Sequence, residues 1–488
     1  MQEDFKFLLD TVRAILPTTT ANKKVYGIDV FQNLDRYGNK VSQAETTLEF
    51  VSLIDKAINS CKASHFSISS ITAEEYRTNQ ILHRYIEGYV EEESLAIHAQ
   101  YQQYIHDRSA QARLNIPLLY HKGRYYTKHH FSQNGKTYTR GLRVKTCNGQ
   151  TPDEIVDRTA DNHPRLPWDS DNHKFYSCSF HRDASTSGNR RGEVVFEFVD
   201  RKGATFKGVF RSDAPVVYTE AGKDIPRTVE LLKPWKILYI RIPSMDPKDT
   251  PFYLSGIKES RDKKIEAVVI DIRNNSGGSD DVWRTIVSHL TNRKLACEIR
   301  AGAKNNDLNL SYLSRHGFGS KIIEKGKPER IGFLDNEEFL VLDMRMELEP
   351  AEDSIQYPGP IFVLSENVYS AAGSLVTFAR QTDQISSVGL RNPYILGLGI
   401  DPYIFTLPHS KFIFRIEPVI DLTYCRKAED IYHTDVEVEI HPSLDQLLDY
   451  HNCPPDISLQ EFLGKHDPFF AKTLALIKGK TRHPRTKS

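Results

Sequence analysis

Apolar positions along the 488-residue chain change their rhythm twice. In the first stretch Phe5, Leu8, Leu9, Val12, Ile15 and Leu16 fall on one face of a helix that Pro17 stops. Leu48, Val51, Ile54 and Ile58 repeat that spacing and lead into Cys61-Lys62-Ala63-Ser64-His65. This order places His65 just beyond a packed helix, where a side chain is both anchored and reachable. The stretch from Ala73 to Ile105, with Tyr85, Tyr89, Tyr101 and Tyr104 among glutamates and glutamines, reads as further helix.

Near residue 110 the helical period gives way to short apolar runs divided by turns. Ile116 to Tyr120, Gly123 to Tyr126 and Gly141 to Val144 are strand candidates, with turns at Asn134-Gly135 and Asn148-Gly149. Thr151, Pro152 and Glu154 carry the pattern of a capped helix start. Val194 to Phe198 and Thr205 to Phe210 add strands, which makes the region a small β-rich module.

From about Pro234 strands and helices alternate. Lys236 to Ile242 is a strand candidate, and Ala267-Val268-Val269-Ile270 is apolar at every position, as suits a strand buried on both faces. It ends in a polar, glycine-containing turn, after which Val282, Ile286, Val287 and Leu290 mark a helix. Pro360 to Leu364, the turn Ser365 to Tyr369, and a helix with Leu375, Val376 and Ala379 repeat the arrangement. Both junctions lie at the carboxyl end of a strand and the amino end of a helix, where ligands gather in α/β sheets.

Charge narrows the picture little. Lysine plus arginine equals aspartate plus glutamate at 64 each, so no global field attracts nucleic acid. The basic run from Lys478 to Lys487 reads as a solvated tail. No apolar run is long enough to cross a bilayer, and Met1-Gln2-Glu3-Asp4 lacks the basic-then-apolar start of a signal peptide. Cys61, Cys147, Cys178, Cys297, Cys425 and Cys453 are scattered and read as buried thiols, with one or two disulfides left open. His163, His173 and His181 form no metal-ligand spacing.

A serine hydroxyl attacks a carbonyl only when a base takes its proton and donors meet the oxyanion. Ser370 stands at the second strand-to-helix turn, where a helix N-cap is the ordinary alternative. Gly277-Gly278 at the first turn permits close backbone approach to a ligand, or serves merely as a tight turn.

The segment Val269 to Gly278, with Asp271, Arg273, Asn275, Gly277 and Gly278, resembles the Asp-Leu-Arg-x-Asn-x-Gly-Gly signature of the tail-specific, or C-terminal processing, peptidases of family S41. Phe362 to Ser374 is similar to that family's nucleophile segment, with Val388-Gly389 and Leu407-Pro408 as further matches. Gly141 to Pro152 resembles the end of its PDZ-like module. The resemblance implies an α/β fold: a crotonase/ClpP-like peptidase core with an N-terminal helical region and a PDZ-like β-rich module. It divides the chain into residues 1–109, 110–228 and 229–470, followed by a basic tail at 471–488.

One branch of the family takes a lysine as base, but Ile395 stands at that spacing and no lysine lies between Ser370 and Lys411. The tricorn-like Ser-His-Glu branch fits better, since Ala63-Ser64-His65-Phe66 resembles its histidine segment. By this resemblance Ser370 is the nucleophile, His65 the base and Glu429 the orienting acid, with Asp430 as the alternative acid. Gly277 and Ala371 would supply the oxyanion N–H groups, with Asp271, Arg273, Asn275 and Gly278 in support. Gly373 replaces a glutamate common in the family. The implied activity is a cofactor-free, metal-free serine endopeptidase acting on a protein or peptide, located in the periplasm or cell envelope. A peptide-binding relative without turnover, or another acyl hydrolase, is the alternative.

Overall fold

The computed structural model describes residues 1–63, 65–68, 71–78, 86, 90–111, 114–185, 193–212, 214–218, 223–315, 327–392 and 402–479. Its fold is mixed α/β, with a helical region at the amino end and a β-rich module after it. The apolar spacing of the first residues forms the helix Gln2–Ile15, whose Phe5, Leu8, Val12 and Ile15 are buried. Thr46 caps the helix Thr47–Ser60 by accepting the Glu49 N–H, and Val51, Ile54 and Ile58 turn inward. Two helices that the apolar pattern does not announce, Thr19–Tyr26 and Val30–Val41, lie between them.

A single helix through Ala73 to Ile105 is not what forms. Helices Ala73–Thr78 and Glu92–Gln111 are separate, and Ile86 between them bridges to Ile404. Ile86 and Val90 pack with Ile404 and Ile413, so this sheet takes up their apolar surface. Tyr85, Tyr89, the Tyr104 side chain and the tail from 480 onward lie outside the described residues.

The β-rich module is a five-stranded antiparallel sheet in the order Thr205–Arg211, Glu193–Val199, Arg143–Cys147, Arg124–Thr127 and Leu118–His121. Asn134 and Gly135, like Asn148 and Gly149, adopt the left-handed backbone that their tight turns require. Thr151 and Glu154 form a reciprocal capping box at the start of Pro152–Thr159. His181 Nε2 accepts the Ile116 N–H at 3.1 Å, tying the polar segment to this sheet.

Six strands build the sheet that carries the two junctions, in the order Thr228–Leu232, Ile237–Arg241, Ala267–Asp271, Ile361–Ser365, Ile385–Gly389 and Val438–Glu439. All pairs but the first are parallel. Every residue of Ala267–Asp271 and Ile361–Ser365 is buried, as their unbroken apolar sequences demand. Helices Asp280–Leu290 and Ala371–Ala379 cover one face through Trp283, Ile286, Leu375 and Val376. Phe462, Leu463, Phe469 and Phe470 from two C-terminal helices, Leu459–Lys465 and Pro468–Gly479, cover the other.

Of the four further sheets among the described residues, two flank the site. The long strands Leu295–Lys304 and Glu337–Leu348 pair along ten residues and are flanked by Lys327–Ile331 and Val419–Asp421. The short strand Ser67–Ile68 pairs antiparallel with Ile413–Ile416, which in turn pairs with Tyr403–Thr406.

Candidate active site

Ser370 follows the buried strand Ile361–Ser365 and precedes the helix Ala371–Ala379. Its backbone stands at φ 53° and ψ −127°, a conformation that L side chains adopt at a cost of about 1–3 kcal/mol. Its hydroxyl makes no capping bond to the helix behind it, so the ordinary reading of a serine before a helix does not describe this one. Backbone bonds hold the turn on both sides. Asn274 N–H donates to Glu366 O at 2.8 Å, and Tyr369 N–H donates to Asn275 O at 3.0 Å.

The two junctions therefore interlock. A Cβ on Gly277 would stand 2.6 Å from Ser370 Cβ and 2.7 Å from Tyr369 O, at a φ of +95°. Only glycine allows that approach. Asn275 is fully buried, and its Nδ2 donates to Ile242 O at 2.9 Å while its Oδ1 accepts the Gly277 N–H at 2.8 Å. That bond gives the Gly277 N–H, expected to serve as an oxyanion donor, a side-chain partner within the loop, while the glycine itself provides the close approach. Gly278 packs as tightly on the other side, where a Cβ would meet Met245 O at 2.3 Å. Ala371 begins the helix that follows Ser370, where first-turn N–H groups have no partner within the helix.

Beneath the glycine turn, Arg273 reaches back to Asp271 with Nε to Oδ1 at 2.9 Å and Nη2 to Oδ2 at 2.5 Å. Tyr239 OH donates to the same carboxylate at 2.6 Å. Burial pushes the Asp271 carboxyl up, but the Arg273 and Arg241 charges and these hydrogen bonds outweigh it and bring it down to about 2.

His65 comes from a segment far off in the chain, beside a different sheet. Ser67 pairs with Arg415, so two residues further along the antiparallel ladder His65 falls opposite Glu417. Its Nδ1 lies 2.7 Å from Glu417 Oε2, and Glu417 is only 6% exposed. The imidazole stands against the residue before Ser370, its centroid 4.9 Å from the Tyr369 ring. Arg165 places its guanidinium 4.4 Å from the centroid of that same ring. Among the described residues no hydrogen bond joins Ser370 Oγ to the imidazole; such contacts commonly tighten only when substrate binds.

Glu429 lies elsewhere, exposed in the 3-10 helix Ala428–Tyr432. Asp430 in the same turn accepts the Arg426 and Lys427 N–H groups at 2.8 and 3.1 Å, a capping task. The carboxylate on His65 is Glu417, which sequence reasoning missed. A lone acid after Phe412-Ile413-Phe414-Arg415-Ile416 carries no local mark of that partner.

The profile of peptidase family S41 matches residues 236–411, so this part of the chain, from the first parallel strand past Ser370, carries S41 homology. No curated protein matches the chain. Among solved structures, mature CPAF is similar over 98% of this chain and 97% of its own, at 12% identity and a TM-score of 0.59. Mature CPAF complexed with lactacystin covers 98% of each chain at 13% identity and a TM-score of 0.57. At these identities the likeness is one of fold. The photosystem II D1 C-terminal processing protease aligns over 93% of this chain and 98% of its own, at 11% identity and a TM-score of 0.37.

Proposed function

We propose that the chain is a serine endopeptidase in which Ser370 is the nucleophile, His65 the general base and Glu417, in place of Glu429, the orienting acid. The observation that carries this reading is the His65–Glu417 pair, 2.7 Å apart, set against Tyr369 beside a serine whose hydroxyl does not cap its helix. A carboxylate on Nδ1 leaves Nε2 as the nitrogen that accepts the serine proton, and it stabilises the imidazolium that results.

In the first half of the reaction Ser370 Oγ adds to the amide carbonyl as His65 removes its proton, and His65 then protonates the leaving amine. Water, deprotonated by the same ring, releases the acyl group. Ala371 N–H is the oxyanion donor that this reading retains, and loss of one such donor costs about 3 kcal/mol in the transition state. Asp271, Arg273, Asn275, Gly277 and Gly278 hold the turn.

The remainder of the reading rests on the family resemblance. The sheet near Asn148-Gly149 is taken as a PDZ-like module, and residues 229–470 as a crotonase/ClpP-like core acting on an exported protein or peptide. The branch is the Ser-His-acid one.

A fluorophosphonate tests the nucleophile. Wild type is expected to be labelled at Ser370 and to cleave casein, and Ser370→Ala to do neither; specific labelling at another serine refutes the assignment. Lactacystin, which the similar CPAF structure binds, is expected to compete for the label.

A further inference from the structure

The C-terminal helix Pro468–Gly479 comes directly after Asp467, a buried carboxylate with two tasks. Its Oδ1 accepts the Phe469 and Phe470 N–H groups at 2.9 and 3.0 Å, which starts the helix. Its Oδ2 lies 2.8 Å from Arg273 Nη2, the nitrogen that also holds Asp271. Arg273 is 2% exposed, and the rings of Tyr450 and Phe469 lie 5.5 and 5.0 Å from its guanidinium. One guanidinium thus joins the end of the strand Ala267–Asp271 to a helix about two hundred residues later in the chain.

The residues just after Arg273 give this junction its importance. Asn274 N–H holds Glu366 O, Asn275 O holds Tyr369 N–H, and Asn275 Oδ1 holds Gly277 N–H. These three bonds set both ends of the turn that carries Ser370 and the glycine pressed against it. Losing one of the two anions that fix Arg273 leaves a buried, partly unpaired cation at the root of that turn, a costly state that movement of the side chain relieves.

We propose that Asp467 is a positioning residue for the nucleophile and glycine turns, so that docking of the C-terminal helix sets the geometry of the site. This rests on the serine-peptidase reading for its catalytic consequence, though the mechanical coupling can be measured without turnover. Asp467→Asn retains an oxygen to cap the helix and removes the anion from Arg273. Thr473→Ala is the control, since its hydroxyl donates to Phe469 O at 3.0 Å, a bond within the same helix.

Hydrogen exchange on the full chain reads the coupling. Asp467→Asn is expected to speed exchange at least fivefold in peptides covering residues 272–279 and 366–373, whereas Thr473→Ala leaves them unchanged. In casein cleavage Asp467→Asn is expected to lower kcat about tenfold with KM within twofold, the mark of misplaced reacting groups. Unchanged exchange in both peptides, or kcat within twofold of wild type, overturns the proposal. If wild type is not labelled at Ser370, the peptidase reading fails, while the exchange result still decides the coupling. Should Asp467→Asn fail to fold, Arg273→Lys keeps the charge, loses the fork and is judged by the same criteria.

Discussion

The two halves of the site are built in opposite ways. The Ser370 half is contiguous: two adjacent parallel strands, buried at every residue, end in turns that bond to each other and stand on a buried ion pair. The His65 half is assembled from distant parts. His65 precedes a two-residue strand, and its carboxylate partner Glu417 lies 352 positions later across the ladder. Geometry in the first half is over-determined, so single changes there meet rigid surroundings. In the second it depends on one strand pairing, one hydrogen bond and the contact with the Tyr369 ring, so it rests on few supports.

The comparison breaks most visibly at the reacting groups. Ser370→Ala and His65→Ala are expected to lower kcat for casein by about 10⁴-fold or more and to do so non-additively, as members of one unit. Thermal unfolding is expected at lower temperature for His65→Ala, because the buried Glu417 carboxylate loses its partner. A double mutant that loses far more activity than either single would contradict a shared step.

Gly277→Ala tests the rigid half. The added methyl meets Ser370 Cβ and Tyr369 O within 2.7 Å at a backbone conformation that alanine resists. Loss of stability of about 1–3 kcal/mol is expected, together with at least tenfold slower labelling of Ser370. The midpoint in urea and the labelling rate measure both.

The ion pair beneath the glycine turn has its own pH signature. Asp271 has a folded-state pKa depressed from 3.8 to about 2, so its contribution to stability is complete above about 4 and is lost as pH falls through about 2. The stability difference between wild type and Asp271→Asn is therefore expected to be constant above pH 4 and to shrink from there toward pH 2. Urea titrations across that window would show the opposite trend, or none, if the carboxylate were not held by Arg273.

Arg165→Ala is the mildest change. Removing an exposed cation from the Tyr369 ring forfeits about 0.5–1 kcal/mol, so labelling of Ser370 is expected to slow less than fivefold, measured by stopped assays at equal probe concentration.

Legibility in the sequence divides along the same line. Val268 to Gly278 and Phe362 to Ser370 show their strands and turns because complete burial writes a continuous apolar run, with the turn chemistry directly after it. Glu417 was not legible. A carboxylate that ends a strand acquires its partner from the register of that strand with Ser67–Ile68, and pairing between segments so far apart leaves no local pattern. The partner of the Gly277 N–H is similar: it depends on where the Asn275 amide points, which the spacing of residues does not encode. The helix that should have run through Ile86 failed because a sheet edge claims that residue, a tertiary preference stronger than its local one.

The most direct test compares the two candidate acids at the nucleophile itself. The second-order rate of fluorophosphonate labelling of Ser370 is measured for wild type, Glu417→Gln and Glu429→Gln under identical conditions. Glu417→Gln is expected to label about 10²-fold more slowly or worse, because the imidazole loses its fixed tautomer, while Glu429→Gln labels at the wild-type rate. Normal labelling of Glu417→Gln together with slow labelling of Glu429→Gln would contradict the triad of Ser370, His65 and Glu417.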